Sequence, residues 1–404
     1  MLFFKTICKD MEMCGSYITN VYDVSLLPFR RARSMDDVTK PLVYPYTDTP
    51  PFGKTIELAP GVKWLQMPLP MSLKFINLYL ISEGDGWTVV DTGMRGDDTH
   101  QLWWEIFNQE LDNKPIKRVI CTHMHPDHTG QAGFICEHWK APLYMSYSEY
   151  YQAKVMGGMM MRTGGNWQMT DYFERSGMDP SFLENMRKHQ GTWSPPADDK
   201  PLPPSFIRLS AGDLLTLGEN EWQVVIGSGH SPEHVCLYCK ELRVFLSGDQ
   251  ILPIITSNVS VQPTEPEGNP LEGFLESCER LGNTLPNDIL VLPAHNMPFY
   301  GIKERCQQLL EHHNDRMLSL EEFCVTPQVA VDMLPILFER ALDGHSVFMG
   351  LGECIAHLHC LMKLSRIERI LENGVYTYLS IDPTLKERAR PGEHMAPPER
   401  PIVV

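Results

Sequence analysis

CTHMHPDHTG, residues 121–130, places His123, His125, Asp127 and His128 within six positions. Packing does not call for such density, because buried imidazoles and carboxylates are costly unless each finds a partner. The run before it, IKRVI (116–120), is short, apolar and β-branched, and reads as a buried strand that delivers the cluster from its carboxyl end. On a loop leaving a strand, His123 and His125 alternate onto one side and can share a metal ion. Asp127 and His128, beyond the bend set by Pro126, can face a second ion. A pair of ions needs further ligands from remote positions, and three stand at apparent strand ends: His230 in GSGHSPEH, Asp249 in LSGDQ and His295 in LPAHN.

Outward from this cluster, VKWLQMPL and FINLYLIS read as strands, followed by the turn EGDG and the strand WTVVDTGM. A helix is expected over DTHQLWWEIFNQEL, where Trp103, Ile106, Phe107 and Leu111 recur near helical period. Residues 146–202 break the rhythm and read as a helical insertion. It contains SEYYQAKVMGGMMMRTGG, a second helix near DPSFLENMRKHQ, and a proline-rich stretch. Its methionines and aromatics, Tyr150, Tyr151, Met160 and Trp167 among them, suit an apolar wall over a substrate as well as plain packing. Strands resume at WQVVIG, VCLYC, LRVFLSG and DILVLP. A helical connector, KERCQQLLEHHNDRMLSL, leads to TPQVAVDMLPILFERAL, read as a helix starting at Thr-Pro. GLGECIAHLHCLMKLSRIERI reads as a second helix, and ENGVYTYL as a strand or wing. The chain thus divides into an extension (1–45), a main domain (46–303), a connector with a small domain (304–381) and a tail (382–404).

Composition narrows the function. The 404 residues are 43% hydrophobic and 21% charged, with no apolar run of about 18 residues to span a bilayer. A formal charge of -16 opposes binding to phosphate backbones. Eleven cysteines in no disulfide-like framework imply reduced thiols and a cytoplasmic location. Cys236 and Cys239 have CxxC spacing but lie on an expected strand, where residues three apart point to opposite faces. On the helix read for AHLHC, His357 and His359 also diverge, so neither is expected to bind metal. His312 and His313 are expected to be solvated, and His234 to be an ordinary hydrogen-bonded histidine.

The series HxHxDH followed by His, Asp and His resembles the metallo-β-lactamase fold superfamily, from about Ile56 to Lys303. The resemblance includes VVDTG, whose Asp91 it implies to be a support of the metal loop. It implies an α/β fold, an αββα sandwich with the helical insertion, and two divalent metal ions, zinc by default with iron or manganese as alternatives. By the same resemblance His123, His125 and His230 hold the first metal, Asp127, His128 and His295 the second, and Asp249 bridges them. Two ions about 3.5–4 Å apart bring the pKa of a bridging water from about 15.7 towards 7, so a metal-bridging hydroxide is the expected nucleophile. Asp127 and Asp249 are the expected catalytic carboxylates, with Asp127 orienting the water and moving its proton.

Departures from related branches select among substrates. His125 differs from the HxExDH pattern of flavodiiron oxidoreductases, and His128 as a ligand differs from the best-known β-lactamase subclass. The residues after Asp249 lack the glycine-rich, arginine-bearing signature of hydroxyacylglutathione hydrolases. Residues 326–379 resemble a winged-helix-like domain of the β-lactamase-like hydrolase branch. Four basic residues there (Arg340, Lys363, Arg366, Arg369) face six acidic ones (Asp332, Glu339, Asp343, Glu353, Glu368, Glu372). Packing or homodimerisation therefore suits the domain better than nucleic-acid binding. The expected function is metal-dependent hydrolysis of a small-molecule thioester, related activated ester or lactone. A nucleic-acid-processing phosphodiesterase is the alternative, and a binding protein without turnover is a third.

Overall fold

The computed structural model describes residues 41–70, 73–160, 167–181, 183, 200–342, 344–382 and 384–385. The extension before residue 41, Met161, most of DPSFLENMRKHQ and the stretch after 385 lie outside them.

Among the described residues, seven strands form the first sheet, in chain order: β1 (Ile56–Ala59), β2 (Val62–Pro68), β3 (Phe75–Ser82), β4 (Trp87–Val90), β5 (Ile116–Ile120), β6 (Leu143–Met145) and β7 (Ile207–Arg208). Pairing is antiparallel from β1 to β4 and parallel from β4 to β7. The second sheet runs β12-β11-β10-β9-β8, built from β8 (Leu214–Leu217), β9 (Asn220–Gly227), β10 (His234–Cys239), β11 (Val244–Gly248) and β12 (Leu290–Pro293). Only β11 and β12 pair in parallel within it.

The two-residue period of a strand explains how these sheets stack. Trp64, Val90 and Ile120 on the first sheet meet Leu237, Leu246 and Leu292 on the second in one apolar cluster. Their chain neighbours Leu65, Val89 and Val119 point the other way. There they pack under α1 (Asp97–Gln109) and a later helix, Ala132–Trp139, through Trp103, Ile106 and Ile135. On the far side of the second sheet, Cys236, Phe245 and Val291 pack on the chain's longer helices. Runs such as WTVV and VFLSG are buried throughout because each strand has a covered face on both sides. The result is the four-layered αββα sandwich expected. Cys236 and Cys239 fall in different clusters on opposite faces of β10, as the spacing requires.

Further helices among the described residues are, in chain order, α2 (Pro126–Thr129), α3 (Ala132–Trp139), α4 (Tyr147–Met160), α5 (Trp167–Arg175), α6 (Pro270–Thr284) and α7 (Ile302–Phe323). Then come α8 (Leu334–Leu337) and α9 (Gly344–Lys363). A three-stranded sheet, β13-β15-β14, follows among the described residues with β13 (Gln328–Val329), β14 (Ile367–Glu372) and β15 (Val375–Ser380). Two sequence expectations fail here. The segment from Thr326 is not one helix: Gln328 and Val329 pair with β15, a 3-10 turn follows over Ala330–Met333, and α8 is a short helix with Pro335 in its first turn. The helix read through SRIERI stops at Lys363. Ser365 there takes a left-handed φ of 56°, the Arg366 N–H closes on Leu361 O, and Ile367 begins a strand. That strand turns at Asn373-Gly374, both with positive φ, into a hairpin.

His312 and His313 are corrected as well. On α7 the His313 ring is fully buried and its Nδ1 lies 3.0 Å from His357 Nε2, while His312 accepts a hydrogen bond from Arg316. Adjacent helix positions are 100° apart, so one of two consecutive histidines faced the core. Tyr150 is core rather than pocket wall: it is buried, stacks on Phe206 and donates to Pro203 O. Tyr151 and Trp167 are exposed.

Candidate metal centre

The clustered residues converge at one end of the sandwich. β5, β9, β11 and β12 all finish there, and the loops just beyond them carry His123, His230, Asp249 and His295. His123 Nε2 lies 2.7 Å from His125 Nδ1 and 3.2 Å from His230 Nε2, with Asp249 Oδ2 at 3.9 Å. On the other side, His295 Nε2 lies 3.5 Å from Asp127 Oδ2 and 3.5 Å from Asp249 Oδ1. His128 Nε2 is 3.8 Å from Asp127 Oδ2 and 3.5 Å from Asp249 Oδ2. Two groups whose donor atoms lie within 4.8 Å of one another result: His123, His125, His230 and Asp249, and Asp127, His128 and His295. All seven residues singled out from the sequence are therefore brought together. Asp249 reaches both groups.

The donor set fits divalent cations. His128 Nε2 and Asp249 Oδ1 are buried yet make no hydrogen bond with any described residue. Such atoms carry a desolvation cost that a cation between them removes. Imidazole nitrogens paired with carboxylates at this range are ligands that zinc and similar ions accept.

Charge divides the centre in two. Burial, reinforced by the neighbouring imidazoles, holds His123 well below the usual histidine range and lowers His125 to about 3. His123 and His125 thus present neutral nitrogen donors. In the other half burial again disfavours the cation, but Asp91, Asp127 and Asp249 outweigh it at His128, and Asp249 and Asp127 raise His295 to about 10. Burial pushes Asp127 and Asp249 up. The facing histidines overcome it and leave both below the ordinary aspartate value.

A surrounding shell aims the donors. Asp91, at the end of β4 with φ 61°, accepts from the Thr122 amide at 2.7 Å and stands 2.7 Å from His128 Nδ1. This turns His128 Nε2 inward, the role a carboxylate commonly plays behind a liganding imidazole. His230 Nδ1 donates to Asn258 O at 2.7 Å, which leaves Nε2 facing the centre. His234 accepts from the Asp249 amide rather than joining the cluster. A Cβ on Gly248, φ 51°, would come within 2.5 Å of the His234 ring, so this corner needs glycine. Sequence reasoning missed Glu149. Buried at the start of α4, it accepts from the amides of Met124 at 2.9 Å and Glu233 at 2.8 Å, tying the His123–His125 loop to the His230 loop. Nothing in SYSEYY separates it from an acidic residue placed to suit a helix N-terminus. Asn258 was missed too, because its contribution is a backbone carbonyl.

Comparison with known proteins agrees with this geometry. Residues 72–295 match the family model of the metallo-beta-lactamase superfamily, and residues 317–381 match the metallo-beta-lactamase-like C-terminal domain. The chain is 40% identical to a beta-lactamase domain protein from Burkholderia ambifaria whose crystal structure superposes with a TM-score of 0.77, covering 84% of this chain and 98% of that one. A probable metallo-hydrolase of Bacillus subtilis, YflN, is 25% identical over 62% of this chain and 89% of its own length. A human protein named acyl-coenzyme A thioesterase MBLAC2 is 22% identical over 59% of this chain and 79% of its own. With the αββα layers, the histidine and aspartate loops at one end of them and the matched residues spanning both, the chain belongs to the metallo-beta-lactamase superfamily.

Proposed function

We propose that this protein is a dinuclear metal hydrolase that cleaves a small-molecule thioester, with related activated esters and lactones as the nearest alternatives. The observation that carries the reading is Asp249, whose two carboxylate oxygens lie between the two donor groups. His123, His125 and His230 would hold one ion, Asp127, His128 and His295 the other, and Asp249 both. When bound, such a pair supplies an acidified water at neutral pH and an electrophile for the carbonyl oxygen under attack.

The protein's own groups do the rest. Asp127 is the more accessible of the two carboxylates, at 15% side-chain exposure against 9% for Asp249. In this reading Asp127 would accept a hydrogen bond from the attacking water, orient it and carry its proton towards the leaving group. Asp91 fixes the His128 ring and Glu149 fixes the loops, so the donors are organised before substrate arrives. The human relative named as a thioesterase supports the choice of substrate class. The nine described cysteines are free and buried, which supports a reducing compartment such as the cytoplasm. No described helix is long and apolar enough to cross a membrane.

The test is metal analysis followed by a substrate panel. About two equivalents of transition metal per chain are expected, with turnover of acyl thioesters or lactones that varies little with salt. One equivalent or none in folded protein would remove the dinuclear assignment. Salt-sensitive RNA cleavage abolished by His123→Ala, with no thioester or lactone turnover, would replace the reading by a phosphodiesterase, because phosphate-tracking enzymes lose affinity steeply as salt rises.

A further inference from the structure

The acidic C-terminal region invites the view that it only packs or assembles, remote from the chemistry. Its helix α9 reaches the metal centre through one intervening residue. His230 donates from Nδ1 to the Asn258 carbonyl, and the Asn258 side chain donates from Nδ2 to Glu353 Oε2 on α9 at 3.1 Å. Ser260 Oγ donates to Asn258 Oδ1 at 2.6 Å, so the amide is gripped at both ends. The same stretch is fastened to α9 by its backbone, with Val261 N–H donating to Gly352 O at 3.0 Å. A Cβ on Gly352 would stand 2.9 Å from Ser260 Cβ and 3.0 Å from Val261 O, so helix and strap touch because residue 352 has no side chain. Glu353 itself is buried. The strap is held from a second helix too: Arg305 of α7, buried, donates to Leu252 O at 2.6 Å and Ile255 O at 2.8 Å. Ser257, between these anchors, donates to the carbonyl of Asp249.

We infer that Glu353 and Asn258 form a positioning pair for His230, so that α9 of the C-terminal domain sets the aim of a ligand in the three-histidine half of the metal centre. The Asn258 carbonyl selects the His230 tautomer with the proton on Nδ1 and fixes the ring plane. Glu353 holds that carbonyl in place by gripping the amide of the same residue. Buried partners of liganding histidines typically contribute about 10–100-fold in metal affinity. The pair acts on one half only, since no described contact joins Glu353 to Asp127, His128 or His295. The inference rests on the ligand assignment proposed above, and not on the choice of substrate.

The experiment is stepwise zinc titration of the metal-free full-length chain against a chromophoric chelator. The proteins are the wild type, Glu353→Ala, Glu353→Gln, Asn258→Asp, and Asn258→Asp combined with Glu353→Gln. Glu353→Ala should weaken one of the two binding steps about tenfold or more and leave the other within about twofold. Glu353→Gln keeps an acceptor oxygen for Asn258 and should restore most of that loss. Asn258→Asp sets two carboxylates against each other and should weaken the same step, while the double variant, with the donor and acceptor exchanged, should recover it. Both steps falling together, neither step changing, or Gln behaving like Ala would each overturn the pairing in favour of a general effect on stability or charge. If Glu353→Ala does not fold, Asn258→Asp and its double variant decide the matter alone. Affinity is the readout rather than turnover. A protein that binds two ions yet cleaves no thioester breaks the proposed function and leaves this inference intact, whereas unchanged affinity breaks the inference alone.

Discussion

His123 and His125 stand two apart in sequence, and so do His357 and His359, yet the two pairs do unrelated work. The first pair leaves a strand on a loop, and its rings meet with nitrogens 2.7 Å apart beside carboxylates. The second pair lies on α9, where residues two apart project about 200° from each other. His357 reaches back to Glu353 O and across to His313, while His359 turns to Gly268 O on another segment. Aspartates 127 and 249 face the first cluster. No described group of three or more potential ligands forms around the second. Spacing alone therefore says little about a histidine pair; the element that carries it decides whether the lone pairs converge.

The contrast can be broken by substitution. Asp249→Ala should have the largest effect, with both ions lost or greatly weakened and turnover down by at least about a hundredfold, the upper range for an outer partner of a ligand. Elemental analysis and activity check it together. Retention of both ions would mean that another group bridges. Asp91→Ala should be milder. It removes the partner of His128 Nδ1, and metal affinity should fall about 10–100-fold, read by chelator competition. If affinity does not move, Asp91 serves the Thr122 turn alone.

His357→Ala should reverse the pattern, leaving metal content near wild type while lowering stability. The ring is fully buried and bonded to His313, so a cavity opens and His313 loses its partner; about 2–4 kcal/mol is the expected cost. Thermal unfolding with parallel metal analysis separates the two effects. A fall in metal content at unchanged stability would contradict the division of roles between the two histidine pairs.

The smallest effect is one of pH. Burial lowers His357 to about 4 in the fold, against an ordinary value near 6.5 when unfolded. Below about pH 6.5 the unfolded chain takes up a proton that the folded chain refuses, so stability falls as pH drops towards 4 and then levels. His312 and His313 are depressed in the same direction by burial, with Arg316 adding to it, and deepen the loss. Denaturant unfolding at pH 7 and pH 5 should show the decline, and His357→Phe should flatten part of it. An equal slope in that variant would place the effect elsewhere.

Much of the centre was legible because its residue types are expensive to keep for any other purpose. Seven histidines and aspartates at strand ends need partners, and their order along the chain pointed to two ions. The sandwich was legible through the resemblance that the metal motif carries, and the structure shows its physical basis: alternation along β2, β4 and β5 leaves each strand two apolar faces, one covered by helices and the other by the second sheet. Reading failed where neighbours overruled local preference. Thr-Pro announced a helix, but Gln328 and Val329 were captured by β15, a partner nearly fifty residues away. Adjacent histidines on a helix looked exposed until α9 packed against one of them.

The sequence by itself determined most strands and helices of the main domain and the residues that meet at one end of it, because these follow from periodicity and from the chemistry of side chains that cannot be buried alone. Only the tertiary structure decided which groups aim those residues. Glu149 links the His123–His125 loop to the His230 loop through backbone amides, Asn258 supports His230 through a carbonyl, and Glu353 arrives from a helix about a hundred positions downstream. Amides and carbonyls are present at nearly every position and leave no mark in a sequence; only the path of the chain determines which of them stands behind a ligand.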